Sequence, residues 1–235
     1  MSEETYLQMQ ENYYNIQADR WTLAFRDPVV GSYDKHNAWG DYDEFLFKDF
    51  DTTDLVSLEY GCGPGRNLIR FNNRFKRVDG VDISKINLEK ATINLTNAGI
   101  SGNNLLYCDG KSIPCDDEQY DVVFSVICFQ HICCHSVRYK ILEDCFRVLK
   151  AGGKLCFQMG YGGKPDHPKV NVSSYYENVT AARSTNGTHD VSITNVADIE
   201  SDLTKIGFED FVFDLRPTGP GDNHANWIFI QATKK

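Results

Sequence analysis

Alternating glycines between a short apolar run and a segment with helical spacing constrain the fold of this chain more than any other feature. Residues 55–60 read Leu-Val-Ser-Leu-Glu-Tyr, and Gly61, Gly63 and Gly65 follow at every second position. The run is short and apolar, as expected for a strand that is buried on both faces. Residues 66–74 carry apolar side chains at helical spacing. The glycines therefore lie on a turn from a strand to a helix, where the backbone can approach a ligand and helix N–H groups are free.

Predicted strands and helices alternate regularly along the middle of the chain. The predicted strands are residues 55–60, 77–82, 104–108, 120–126 and 154–159, and the predicted helices between them are 65–75, 85–98 and 136–149. Alternation of this kind is typical of βαβ units, which form a parallel sheet with helices on both faces. We therefore predict an α/β fold with a doubly wound, mostly parallel, Rossmann-like sheet. A helix and two strand-like segments after residue 195 continue the pattern.

Polar residues follow several of the predicted strands. Asp82 follows the second strand, Asp109 the third, and residues 125–131 the fourth. Ligands of open α/β sheets bind outside the carboxyl ends of the strands, so these residues are expected to share one pocket. Asp82 stands where an acidic residue can hold the two ribose hydroxyls of a nucleoside.

The spacing of the glycines argues against a dinucleotide as the ligand. A dinucleotide fingerprint is G-x-G-x-x-G and faces a pyrophosphate, whereas this turn is G-x-G-x-G. Pro64 has no N–H, so one donor is missing from any phosphate cradle. Glu59 adds a negative charge just before the turn, which suits a cationic ligand better than a pyrophosphate.

These motifs resemble those of the class I S-adenosylmethionine-dependent methyltransferases. The resemblance rests on Glu59-x-Gly61-x-Gly63-x-Gly65, Asp82, Asp109-Gly110 and Phe129-Gln130-His131. It implies S-adenosyl-L-methionine as the cofactor and S-adenosyl-L-homocysteine as the product, and the ammonium and sulfonium of the cofactor agree with the charge of the turn. It also implies a seven-stranded sheet whose last strand is antiparallel. The resemblance is close over residues 55–160 and loose over 195–235.

The resemblance implies a role in cofactor binding for residues at each strand end. Gly61 and Gly63 would let the backbone approach the methionine portion, and Glu59 would orient the turn and the ammonium side. Asp82 would take the ribose hydroxyls, and Asp109 would accept a hydrogen bond from the adenine amino group. The implied cofactor-binding residues are Glu59, Gly61, Cys62, Gly63, Arg66, Asn67, Asp82, Ile83, Asp109, Gly110, Ser125, Val126 and, from the N-terminal segment, Trp21.

A hydroxyl acceptor has to lose its proton near the time of transfer, and histidine is the usual side chain for this near neutral pH. His131, after the fourth strand, is the first candidate for the general base, and His36 and His189 are next. The family's amino-group methylases of nucleic acids often carry an Asn/Asp-Pro-Pro-aromatic motif there. Residues 128–131 read Cys-Phe-Gln-His instead, which disfavours methylation of DNA bases. We predict methyl transfer to a small-molecule acceptor, at oxygen, by in-line displacement.

Two other functions stay open. An N-methyltransferase acting on an amine or a protein side chain would use the same cofactor site, and its acceptor would not require a protein base. A non-catalytic subunit could bind the cofactor in order to regulate a partner. A nicotinamide oxidoreductase is disfavoured by the position of the third glycine.

Two segments outside the resemblance are expected to select the acceptor. Residues 1–50 are rich in aromatic side chains and predict an N-terminal helical lid or cap, which would exclude water from the site. Residues 51–235 form the predicted methyltransferase domain, and the polar residues 162–195 form an acceptor-side insertion after the fifth strand. The candidates in the lid to line the site are Tyr14, Arg20, Trp21 and His36. In the insertion they are Tyr175, Tyr176, His189 and Asp190.

Composition argues against several classes of partner and site. The 235 residues carry a formal charge of −9, whereas nucleic acid normally binds a basic face, so we predict no nucleic-acid partner. No apolar stretch approaches the ~20 residues of a membrane span, so no membrane association is predicted. The eight cysteines include no Cys-x-x-Cys pair, which predicts reduced thiols and a cytoplasmic protein. Adjacent cysteines such as Cys133 and Cys134 chelate a single ion poorly, so we predict no metal site.

Overall fold

The computed structural model describes residues 2–20, 42–163, 171–178, 189–219, 222 and 224–235. The helices are α1 (Glu3–Arg20), α2 (Tyr42–Leu46), α3 (Arg66–Phe71), α4 (Lys85–Asn97), α5 (His135–Val148) and α6 (Val196–Ile206), with a 3₁₀ turn at Phe129–His131. The strands are β1 (Val56–Tyr60), β2 (Arg77–Asp82), β3 (Leu105–Tyr107), β4 (Tyr120–Ser125), β5 (Leu149–Gly163), β6 (Asn171–Ser173), β7 (His189–Ile193), β8 (Phe208–Pro217) and β9 (His224–Lys234). In these parts of the chain, no helix is long and apolar enough to cross a membrane.

The strands form one mostly parallel sheet with the order β3-β2-β1-β4-β5-β7-β6. Strand β9 pairs antiparallel with β5, and β8 pairs antiparallel with β9. The predicted α/β fold is confirmed, with the antiparallel last strand that the resemblance implied. The described residues form nine strands rather than seven, because the predicted insertion itself contributes β6 and β7.

Buried apolar side chains lie on both faces of this sheet. Successive residues of β4 alternate between two clusters: Val123 packs with α5, whereas Val122 and Phe124 pack with α3. Alternation arises because successive side chains of a strand point to opposite faces. Four of the five residues of β1 are buried, as predicted for a strand between two helical layers.

The strand register brings the predicted ligand-binding residues to one edge of the sheet. Tyr60 at the end of β1 pairs with Val81, and Asp82 at the end of β2 pairs with Tyr107 at the end of β3. The segments that follow these three strands therefore leave the sheet side by side. This edge is where the glycine turn and the 3₁₀ turn lie.

The two segments outside the resemblance take up defined structure where they are described. Helix α1 confirms the predicted N-terminal helix, and Phe45 of α2 stacks on Phe229 of β9 with 5.1 Å between ring centroids. In the insertion, β7 pairs with β6 and with the end of β5, so this part joins the sheet. Trp21 and His36 lie outside the described residues, and only the backbone of His189 is described.

Candidate active site

The glycine turn after β1 is held in a backbone conformation that favours glycine. Gly61, Gly63 and Gly65 have φ angles of 75°, 53° and 88°. The N–H of Gly61 donates to the carbonyl of Val81 at 2.8 Å, which fastens the turn to β2. A Cβ atom on Gly61 would overlap the side chain of Cys128, so the turn and the segment after β4 approach each other closely.

Asp82 ties the glycine turn to the start of α4. Its Oδ2 atom accepts the Gly63 N–H at 2.8 Å, and its Oδ1 atom accepts the Ser84 N–H at 2.8 Å. The Ser84 hydroxyl in turn accepts the Asn87 N–H at 3.1 Å, which caps α4. Burial raises the pKa of Asp82, although these main-chain hydrogen bonds oppose the shift. The carboxylate therefore has a structural role besides its predicted contact with ribose.

Glu59 is a buried carboxyl group with one oxygen unused. Its Oε1 atom accepts a hydrogen bond from the Asn67 amide at 2.6 Å, whereas Oε2 is buried and has no hydrogen-bond partner among the described residues. Burial raises the pKa of Glu59 to about 8; Asn67 and Arg66 lower it, and Asp82 raises it further. A buried carboxyl with an unpaired oxygen fits a cationic group such as an ammonium.

These residues line a cavity of about 340 Å³ at the carboxyl edge of the sheet. Most of the predicted cofactor-binding residues face it, namely Glu59, Gly61, Cys62, Gly63, Arg66, Asn67, Asp82, Ile83, Gly110 and Val126. The first candidate base, His131, lines the same cavity. The structure thus brings together residues that the sequence placed at the ends of four different strands.

Two predicted cofactor-binding residues do not line this cavity. Asp109 accepts the Lys111 N–H at 2.8 Å and the Ser112 N–H at 2.7 Å, so its carboxylate closes a turn while the next residue, Gly110, reaches the cavity. Ser125 is fully buried, and its hydroxyl donates to the Tyr60 carbonyl at 2.8 Å. The Ser125 hydroxyl joins two strands, and the ligand contacts of Asp109 and Ser125 stay predictions.

Helix α1 forms one wall of the cavity, and most of its residues there were not predicted from the sequence. Tyr14 was a candidate, and α1 adds Tyr6, Leu7, Gln10, Tyr13 and Gln17. The Tyr6 hydroxyl accepts the Cys133 N–H at 2.9 Å, and the Ser84 hydroxyl donates to Asn15 at 2.7 Å. These contacts fix α1 to the segments after β2 and β4. The tyrosines of α1 can be read from the sequence, but the segments against which the helix packs cannot, because they are distant along the chain.

The segment after β4 holds a strained residue next to the cavity. Ile127 has a φ angle of 52°, which is costly for a β-branched side chain. Its N–H donates to Oε1 of Gln158 at 2.9 Å, and the Gln158 amide donates to Gln130 at 3.2 Å. The buried Gln158 on β5 therefore fixes the path of the chain that leads to His131.

His131 forms a pair with a carboxylate from the insertion. Its Nδ1 atom lies 2.7 Å from Oδ1 of Asp190, whose side chain is 4% exposed. The other carboxylate oxygen of Asp190 lies 3.6 Å from Nε2 of His224. When Nδ1 carries the proton toward Asp190, Nε2 of His131 has its lone pair free to accept one. No described residue hydrogen-bonds this Nε2 atom.

Cys133, Cys134 and His135, which follow His131, do not line the cavity. Cys133 and Cys134 are buried and form no disulfide, and Nε2 of His135 lies 2.6 Å from Oδ2 of Asp202. All eight cysteines are free. Among the residues whose structure is described, no group of three or more His, Cys, Asp or Glu could hold a metal ion.

Comparison with known proteins gives consistent matches. Residues 58–157 match the family model of the methyltransferase domain. Phosphoethanolamine N-methyltransferase 2 of Caenorhabditis elegans is 31% identical over 143 residues, which cover 57% of this chain and 32% of that protein. Malonyl-[acyl-carrier protein] O-methyltransferase of Salmonella typhimurium is 28% identical over 100 residues, which cover 43% of this chain and 37% of that protein.

A solved structure with a similar fold is that of phosphoethanolamine N-methyltransferase 2 of Haemonchus contortus, in complex with phosphomonomethylethanolamine and S-adenosylhomocysteine. The TM-score is 0.67 at 19% identity, over 100% of this chain and 60% of that one. The chain spans about a third of the length of either curated relative. The resemblance drawn from the motifs is confirmed: residues 58–157 match the methyltransferase domain, and the fold is similar to that of a methyltransferase solved with S-adenosylhomocysteine.

Proposed function

We propose that this protein transfers a methyl group from S-adenosylmethionine to a small-molecule acceptor whose nucleophilic atom carries a proton. The observation that carries the proposal is the 2.7 Å contact between His131 and Asp190 at the wall of the cavity. A histidine oriented by a buried carboxylate is a typical general base. The volume of the cavity, about 340 Å³, is in the range of small-molecule sites.

The described residues fit the cofactor. The unpaired Oε2 atom of Glu59 is a buried acceptor beside the glycine turn, where an ammonium group would satisfy it. Gly61 and Gly63 expose main chain to the cavity, and Asp82 lines it where the resemblance implies ribose. When bound, S-adenosylmethionine supplies a sulfonium methyl group: the acceptor atom bonds to the methyl carbon, and the carbon–sulfur bond breaks with its electron pair going to sulfur.

The roles of the protein's own residues follow from their positions. His131 accepts the proton of the acceptor at Nε2, and Asp190 stabilises the resulting imidazolium through its contact with Nδ1. Helix α1 covers the cavity with its tyrosines and keeps water out of the site. We also propose that residues 1–50 act as the lid and that residues 162–195 act as the acceptor-side insertion, because Tyr14 lines the cavity and Asp190 contacts His131 at its wall.

A hydroxyl is our first candidate for the acceptor atom. Its proton is lost only with the help of a base near neutral pH, and His131 is placed to provide that help. The Salmonella typhimurium relative is an O-methyltransferase, which supports this assignment.

An amine is the second candidate. An ammonium group has no lone pair and must also lose a proton before it can attack, so the same pair of residues would serve it. The Caenorhabditis elegans and Haemonchus contortus relatives are phosphoethanolamine N-methyltransferases, which supports this alternative. Three tyrosines of α1, Tyr6, Tyr13 and Tyr14, also line the cavity, and aromatic faces attract cations.

An acceptor screen with S-adenosylmethionine labelled in the methyl group tests the proposal. Hydroxyl compounds and amines are offered in parallel, and mass spectrometry locates the methyl group in any product. We expect labelled product from one class only, and a loss of at least about 100-fold in turnover for His131→Gln. Cofactor binding without methyl transfer to any acceptor would contradict the proposed enzymatic function and favour a regulatory subunit.

A further inference from the structure

We propose that His224 is a positioning residue for His131 and acts through the carboxylate of Asp190. The inference rests on the proposed role of His131 as the base. His224 is the first residue of β9 and lies far from His131 in the sequence, yet both histidines face the same carboxylate. Oδ1 of Asp190 serves His131, and Oδ2 faces His224.

The imidazole of His224 is buried with its hydrogen-bonding capacity unused. The residue is 0% exposed, and neither ring nitrogen has a hydrogen-bond partner among the described residues. Its Nε2 atom lies 3.6 Å from Oδ2 of Asp190, slightly beyond hydrogen-bond distance. A buried polar group without a partner is costly. A short movement of the Asp190 carboxylate would bring its Oδ2 atom within hydrogen-bond distance of this Nε2 atom.

The surrounding strands hold the His224 ring in place. A Cβ atom on Gly160 of β5 would overlap the ring, so the imidazole packs directly on the main chain of that strand. The ring of Trp227 lies 5.3 Å from it, between centroids. Since β9 pairs with β5 from Lys154 to Gly163, the ring sits on rigid elements. Its position is therefore as well fixed as that of the sheet.

A donor at Oδ2 determines how Asp190 is oriented. A carboxylate held on both oxygens cannot rotate about its terminal bond, so Oδ1 stays on the Nδ1 side of His131. His131 then keeps its proton on Nδ1 and its lone pair on Nε2, the form that a base requires. Without that donor, the carboxylate loses one of the contacts that orient it, and the other tautomer of His131 becomes more populated.

The test is nitrogen NMR of the protein labelled in its imidazole nitrogens, with S-adenosylhomocysteine bound and at a pH where the imidazoles are neutral. In the wild-type protein we expect His131 to carry its proton on Nδ1 and His224 to carry its proton on Nε2. In His224→Leu we expect a several-fold rise in the other tautomer of His131. His224→Gln retains an N–H donor and is expected to restore much of the wild-type signal. In an Asp190→Asn background, His224→Leu should change nothing further.

His135→Leu is the matched control. His135 also contacts a buried carboxylate, at 2.6 Å from Asp202, but it does not line the cavity. We expect no change of the His131 signal in this variant. Unchanged His131 tautomers in His224→Leu, or a proton on Nδ1 of His224 in the wild-type protein, would overturn the proposal. The wild-type measurement decides the question even if His224→Leu does not fold.

The NMR readout is independent of the proposed function. If His131→Gln leaves methyl transfer intact, His131 is not the base, whatever the tautomers show. If His131→Gln abolishes transfer but His224→Leu leaves the tautomers unchanged, the base is correct and His224 has no positioning role.

Discussion

Nδ1 of His131 lies 2.7 Å from Oδ1 of Asp190, across a separation of 59 residues. The contact joins the 3₁₀ turn after β4 to β7 of the insertion, and through it Asp190 contacts a residue that lines the cavity. The polar segment between β5 and α6 thus supplies the carboxylate beside His131.

Asp190→Asn is expected to reduce turnover by a factor on the order of 100, because the amide cannot stabilise a protonated His131 as a carboxylate does. Steady-state kinetics with the acceptor found by screening measures this. The affinity for S-adenosylhomocysteine should stay within about twofold, because no cofactor-binding role is assigned to Asp190. The control His135→Gln, which alters a histidine–carboxylate pair outside the cavity, should leave turnover nearly unchanged. Equal losses in the two variants would contradict a specific role.

Cofactor binding is expected to release a proton from Glu59. Burial raises the pKa of this group to about 8, so it is mostly protonated at neutral pH when the cavity lacks a cation. An ammonium group at Oε2 favours the ionised form, so about one proton leaves per cofactor bound near pH 7. Calorimetry in buffers with different ionisation enthalpies measures the number of protons released per cofactor bound. Glu59→Gln should abolish the release, and buffer-independent heats in the wild-type protein would contradict the assignment.

Glu59 also makes stability depend on pH. Its pKa rises from an ordinary 4.5 to about 8 on folding, so between these values the folded state holds the extra proton. The free energy of unfolding therefore decreases as pH rises through this window, by up to ~1.4 kcal/mol per pH unit. The contribution is fully present below the lower value and lost above the upper one. Urea unfolding without cofactor should show a flatter dependence in Glu59→Gln, and identical slopes would refute this.

Gly61→Ala is expected to destabilise the fold by at least ~2 kcal/mol and to abolish cofactor binding, because the new Cβ adds a clash with Cys128 to a φ of 75°. Gly99 offers a matched control, since its φ is 70° and nothing lies within 4 Å of a Cβ built there. Gly99→Ala should cost only the conformational strain, ~1 kcal/mol. Thermal unfolding compares the two variants. Similar losses of stability in the two variants would mean that the close contact between Gly61 and Cys128 does not contribute to the effect.

Sequence reasoning succeeds where the signal is local. The strand before Gly61, the cap at Ser84 and the helix from His135 are each encoded by a short window of residues. Asp82 and Glu59 were also predictable, because their distance from the glycine turn along the chain is set by one βαβ unit. The position of His131 at the cavity was predicted because the residue follows β4 in the sequence.

The missed features depend on contacts between distant segments. The partnership of Asp190 with His131 needs β7 to join the sheet, and the polar composition of residues 162–195 does not predict a strand. The role of Gln158 in holding Ile127 is visible only in three dimensions, since neither residue stands in a motif. The hydrogen bond of the Ser125 hydroxyl to the neighbouring strand, which keeps this side chain out of the cavity wall, was likewise not visible in the sequence.

Calorimetric titration with S-adenosylmethionine and S-adenosylhomocysteine, on the wild-type protein and on Asp82→Ala, tests the central claim most directly. We predict binding on the order of micromolar for both ligands. The affinity should fall at least about 100-fold in the variant, which loses the carboxylate that holds Gly63 and faces the cavity. Absence of binding by either ligand, or equal binding by a folded Asp82→Ala, would contradict the assignment of this cavity to the cofactor.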